Sequence, residues 1–155
     1  MPDEYDSAAD ARISYDAALE AKRLRGDTHW PAPIAGTRIE LPAPVPLAAC
    51  FTNVPRRGRV PTKRYLEWQR EAMWTIKAQR SRPVKGRVAI TVSLVPPDNR
   101  ARDAGNTDKA VMDVLVKAGI IEDDSNRYVR RVTYEWVDAG PPCVVVISRF
   151  DEVAK

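Results

Sequence analysis

Five side chains between positions 103 and 124 have the types and spacing to act on a phosphate. Asp103 stands before a stretch of helical periodicity, Lys109 and Asp113 fall within it, and Asp123 and Asp124 follow the glycine that ends it, Gly119. Asn106, Lys109 and Asp113 are separated by three and four residues, so a helix carries them on one face. Clustered carboxylates do not all stay ionised cheaply; they need a proton or a cation. A hard divalent ion such as Mg²⁺, or Mn²⁺ in its place, takes oxygen from one or two carboxylates and keeps several waters. It lowers the pKa of a water and clamps a phosphoryl oxygen, while a nearby lysine offsets the charge that develops there. Spacing alone favours a plainer reading: a helix capped by Asp103, an exposed lysine and a solvated acidic turn, because aspartates often precede helices.

The elements that must position these residues follow from periodicity. Thr37–Leu41 is a strand candidate, and the basic stretch "NVPRRGRVPTKR" after it reads as a loop. A helix over Thr62–Arg80 places Tyr65, Trp68, Ala72 and Ile76 on one face. In "GRVAITVSLVPP", Val88, Ile90, Val92 and Leu94 alternate with smaller residues, a strand stopped by Pro96 and Pro97. A second helix starts at Gly105 or Asn106, carries Ala110, Val111, Val114, Leu115 and Ala118 as its apolar stripe, and stops at Gly119. Tyr128–Val137 and Cys143–Phe150 are strands, read as a closing hairpin about "DAGPP". The order β-α-β-α-β-β predicts one α/β (α+β) domain, a mixed four-stranded sheet with helices packed on it. If the strand after the acidic turn packs beside the one ending at Pro97, Asp103 and Asp124 converge at an edge of that sheet. The main domain is expected over residues 34–155. Residues 1–33 read as an N-terminal helical appendage, helical over 6–25 and joined by a Pro-rich connection.

The 155 residues are enough for one buried core. The net charge of +4 is unevenly spread: residues 54–109 hold fourteen bases against five acids, whereas residues 1–20 hold six acids and one base. A basic block of this kind suits a polyanion, or serves as a solvated face. Arg56, Arg57, Arg59, Lys63 and Arg64 are the leading candidates for DNA phosphate contact, with Arg100, Arg102 and Arg127 flanking the acidic positions. Cys50 and Cys143 are isolated and His29 has no ligand companion, which speaks against zinc, a disulfide framework and histidine-dependent hydrolysis. Trp68, Trp74, Tyr134 and Trp136 could stack on bases, but their helical and strand spacing favours the core. No apolar run approaches the roughly 20 residues of a membrane span, and the acidic start lacks a signal pattern. The expectation is a cytoplasmic protein without a membrane partner.

The segment from about Val95 to Trp136 resembles the RusA-type Holliday-junction resolvases, a family of endonucleases common in phages and prophages. The family pattern is Arg-Asp-x-Asp-Asn, a lysine three residues on, Asp-x-Leu on the helix, then a glycine and an Asp-Asp pair. Here Arg102, Asp103, Asn106, Lys109, Asp113, Leu115, Gly119, Asp123 and Asp124 fit it without a gap. Gly105 stands where the second aspartate belongs. With a looser fit of the preceding strand and loop, the resemblance covers roughly residues 37–150. It implies a homodimeric nuclease that cuts branched DNA at four-way junctions with Mg²⁺, in recombination and repair. It assigns metal binding to Asp103 and Asp124 and an essential supporting role to Lys109. Asp123 is the first candidate for the missing ligand, with Asn106 as another oxygen donor and Asp113 in support; Asp108 is a weaker substitute. Two other readings stand beside it. One is a branched-DNA-binding protein of the same fold, with cleavage weakened or lost through Gly105. The other is an unrelated basic domain that recruits a partner.

Overall fold

The computed structural model describes residues 36–150; the helical appendage expected over residues 1–33 lies outside them. The most apolar strand organises the rest. In β4 (Val88–Leu94), Val88, Ile90, Val92 and Leu94 are buried and Ala89 with them, so this strand takes an interior place in the sheet. It pairs in parallel with β5 (Val129–Trp136) and antiparallel with β6 (Cys143–Arg149). β1 (Thr37–Leu41) closes the other edge against β6, giving the order β1-β6-β4-β5. This is the mixed four-stranded sheet expected from the sequence.

The closing hairpin is not formed. β5 and β6 follow each other in the chain, yet β4 lies between them. β5 carries Arg130, Arg131 and Glu135 exposed, which suits an edge and not the centre. The connection crosses the end of β4, where Val137 N–H donates to the Leu94 carbonyl and Val95 N–H to that of Pro142.

Alternation along the strands covers one face of the sheet. Ile39, Leu41, Val92, Leu94, Val145 and Ile147 point into a single core, while outward positions such as Val146 and Glu135 meet solvent. Two helices supply the other half of that core. α2 (Lys63–Ala78) buries Tyr65, Trp68, Gln69, Ala72 and Ile76, and its first turn is capped by Thr62, whose hydroxyl accepts from Tyr65 N–H. α3 (Asp108–Lys117) buries Ala110, Val111, Met112, Val114 and Leu115. It is preceded by a 3₁₀ turn, Ala104–Thr107, where the sequence suggested that the α-helix had already begun. Gly119, at φ 70°, ends it, and Ile120 N–H turns back to the Leu115 carbonyl.

The basic stretch is more ordered than a loop. After a single helical turn, α1 (Leu47–Cys50), the chain forms a two-stranded hairpin from β2 (Phe51–Val54) and β3 (Gly58–Pro61). Its reversal is closed by Arg57 N–H on the Val54 carbonyl at 3.0 Å. Pro55 sets the turn, and Arg56 takes the left-handed position at φ 64° that such turns reserve for glycine. Composition hid the hairpin because so few of its residues are apolar.

Candidate active site and nucleic-acid face

Lys109 is the best-held functional side chain. It donates to Asp113 Oδ1 at 2.7 Å, one helical turn along α3. The other oxygen of Asp113 accepts from the Tyr65 hydroxyl of α2 at 2.8 Å. Tyr65 is 2% exposed, wedged edge-on to Phe51 and stacked on Trp68. Burial, and then the Asp113 carboxylate, push the Tyr65 pKa up, so the hydroxyl keeps its proton and remains a donor. The hydrogen bond to Asp113 raises the Lys109 pKa, and the fields of Asp113, Asp124 and Asp108 add to it. The ammonium is therefore charged and aimed before any ligand arrives. The sequence reading placed Tyr65 in the core, where it is. Its hydroxyl's role needed the packing of α2 on α3, which no local spacing reveals.

Asp124 joins this group. With Lys109, Asp113, Gln69 and Lys117 it lines one shallow depression along α3. Asp123 precedes it, its carboxyl drawn below the usual range by the neighbouring Ser125 hydroxyl and then by backbone N–H groups of Asp124 and Ser125. That hydroxyl lies close without a hydrogen bond of ordinary geometry.

Asp103 is placed differently. Its Oδ1 accepts from Gly105 N–H at 3.0 Å, capping the 3₁₀ turn, and it lines a second depression with Asn106, Arg102 and Trp136. β4 and β5 do lie side by side, the condition set for convergence of Asp103 and Asp124. They pair in parallel, with Asp103 following the end of β4, Asp124 preceding the start of β5 and α3 spanning the interval between them. Among the described residues, no three His, Cys, Asp or Glu side chains come together as a metal cluster. Asp108 is occupied, its carboxylate accepting from the Tyr134 hydroxyl.

The basic candidates divide in two. Arg56, Arg57, Arg59, Lys63 and Arg64 are exposed on the β2–β3 hairpin and at the start of α2. Arg59 lies over the Phe51 ring, and Lys63 faces Glu67 at 3.6 Å. These charges also act on the buried Cys50 thiol. Burial raises its pKa, Asp113 raises it further, and Lys109, Arg59 and Arg64 lower it. The hairpin base and the Lys109–Asp113 pair therefore bear on one point. Arg102, by contrast, forks onto both oxygens of Asp98, at 3.2 and 2.6 Å, with Arg100 on the same carboxylate. Arg127 is exposed beyond the acidic turn. Of the aromatic residues expected in the core, Trp68 is buried and Tyr134 half-buried, but Trp74 is 66% and Trp136 38% exposed.

Comparison with known proteins gives a consistent result. The family model for endodeoxyribonuclease RusA matches residues 48–148. A crossover junction endodeoxyribonuclease RusA from Aquifex aeolicus (strain VF5) is 30% identical over 108 residues, which cover 68% of this chain and 84% of that protein.

Proposed function

This chain belongs to the endodeoxyribonuclease RusA family and is a crossover junction endodeoxyribonuclease, and from that premise we propose that it resolves four-way DNA junctions by Mg²⁺-assisted hydrolysis of phosphodiesters. The observation that supports this reading best is the Tyr65–Asp113–Lys109 chain, which fixes an ammonium beside Asp124 in an open depression. The arginines of the β2–β3 hairpin hold backbone phosphates, the contacts that give most non-specific affinity. A scissile phosphate seated over Lys109 meets a cation that needs no reorganisation as negative charge builds on the phosphoryl oxygens. Asp113 and Tyr65 act through Lys109 and do not touch the DNA.

The donor chemistry fits a hard divalent ion. Asp103 and Asp124 offer exposed carboxylate oxygens with room for water, although in this chain they line separate depressions. They are the residues that would hold the ion, with Asp123 or Asn106 as a further oxygen donor in place of the aspartate replaced by Gly105. When bound, Mg²⁺ or Mn²⁺ would supply a more acidic water and added charge on the phosphoryl oxygens. A homodimer would present two such sites to the two equivalent strands of a junction and make paired nicks.

Gly105 favours a second reading, a branched-DNA-binding protein with weakened cleavage. A synthetic four-way junction incubated with the protein and Mg²⁺, Mn²⁺ or chelator separates the two. Metal-dependent paired nicks are expected. Salt-sensitive binding without nicking would leave only the second reading, and absence of both would remove the two together.

A further inference from the structure

The exposed side of α2 borders a groove of about 750 Å³ that the catalytic reading does not use, a volume within the range of ligand-binding clefts. Arg70, Lys77 and Arg80 line it from α2 and its C-terminal end, and Lys117 from the end of α3. No acidic side chain is among its lining residues, and among the described residues none of the four cations has an ion pair. Trp74 stands in it with Lys77 5.5 Å from the ring centroid. Arg80 occupies a left-handed position at φ 52°, directly after the helix cap. Glycine takes that position at little cost and any other residue does so less easily.

The groove adjoins the candidate catalytic depression. Gln69 and Lys117 line both, and they meet across the ridge at 3.4 Å. We propose that this groove carries a single DNA strand to or from the Lys109–Asp124 depression, with an unpaired base stacked on Trp74 and its phosphates on Arg70, Lys77, Arg80 and Lys117. A polyanion with exposed base faces satisfies both the cations and the indole. A second copy seated by the same face would set its own four cations against these four. The inference rests on the junction-nuclease reading and names the strand path that serves that site.

The test uses the full chain, a labelled four-way junction and a labelled single-stranded oligonucleotide, with chelator present so that binding is read without cutting. Trp74→Ala is expected to weaken single-strand binding roughly five- to a hundredfold, the range of base–aromatic stacking, and Trp74→Phe to keep most of it. Lys77→Ala combined with Arg80→Ala should lessen the salt dependence of single-strand affinity by about 0.7 in log–log slope for each phosphate no longer neutralised. Sedimentation of each variant at the same concentration completes the set. Wild-type affinity and slope in all variants would overturn the inference while leaving junction binding intact. Loss of a dimer in Trp74→Ala would also overturn it, by assigning the groove to a second copy. A wild-type protein that binds the single strand through Trp74 but ignores junctions would instead sink the junction reading and keep the groove.

Discussion

Two regions only a few residues apart in sequence, the Lys109–Asp113–Tyr65 chain and the Asp103–Gly105 turn, are built on opposite plans. In the first, every polar atom named has a fixed partner, and the last of them, the Tyr65 hydroxyl, is anchored in the core. In the second, an exposed carboxylate caps its own short turn through one oxygen and leaves the other without a partner among the described residues. The cation is thus prepared by the fold, whereas the anion depends on what binds to it. Preorganisation is valuable where charge develops during the reaction. A carboxylate that must accept an ion with its waters gains from remaining open.

The sharpest way to break this contrast is to neutralise the two proposed metal carboxylates separately. Asp124→Asn and Asp103→Asn should each reduce junction nicking to background while binding stays near wild type, because the basic hairpin is untouched. Asparagine still caps a turn, so the second variant should fold normally. Nicking retained in Asp103→Asn but lost in Asp124→Asn would confine the chemistry to the depression along α3.

Next in size come changes to the prepared cation. Lys109→Met should cost on the order of 10²–10³-fold in turnover, as for loss of one transition-state donor. Asp113→Asn should cost roughly 10–100-fold, the scale of a missing supporting partner. Single-turnover nicking checks both, and equal losses would mean that Asp113 does more than position Lys109.

The pH profile sharpens the same point. The Lys109 pKa is raised above its ordinary 10.5 by Asp113. The pair's contribution is therefore complete below 10.5 and fades as pH rises through the higher folded value. Wild-type turnover should show no loss from Lys109 deprotonation near neutrality, and Asp113→Asn should move the alkaline limb to lower pH. An unmoved limb would detach it from Lys109.

How much of this was legible beforehand depended on the range of the interactions. Strands β1, β4 and β6 and both long helices declare themselves through alternation or helical spacing, as Val88, Ile90, Val92 and Leu94 do within seven residues. The Lys109–Asp113 pair is equally local. The position of β5 was not legible, because choosing between a hairpin and a parallel partner depends on which strand is buried on both sides, a property of the assembled sheet. The hydroxyl of Tyr65 reaches Asp113 across 48 positions, and Trp136 breaks the apolar alternation of β5 without a local sign, whereas Trp74 lies off the Tyr65, Trp68, Ala72 and Ile76 stripe that the helical period marks. The basic hairpin was missed because its strands are held by a turn and by backbone pairing, with few apolar side chains to mark them.

The smallest expected effect concerns Gly105. Its φ is not left-handed, and a Cβ built there would lie 3.4 Å from Asp103 Oδ1, an ordinary contact. Gly105→Asp should therefore fold, with stability within about 0.5 kcal/mol of wild type, and place a second carboxylate beside the first. One more exposed unit charge about 8 Å from a divalent ion is worth ~1 kcal/mol in water, so half-maximal nicking should need about fivefold less Mg²⁺. A titration with no change would mean that the site already has its full set of donors.

The pairing of β1 with β6 links the first described strand of the sheet to the last. On the ribosome, residues 37–41 must wait until residues 143–149 emerge, and β4 has no antiparallel neighbour until then. This interior strand is thus made before its antiparallel neighbour and sheltered only afterwards, an arrangement that leaves an apolar edge open to other chains during synthesis. Translation that stops before Cys143 would release a chain with α2 and α3 encoded but its sheet unable to close, a substrate for chaperones or proteases and not a weaker nuclease.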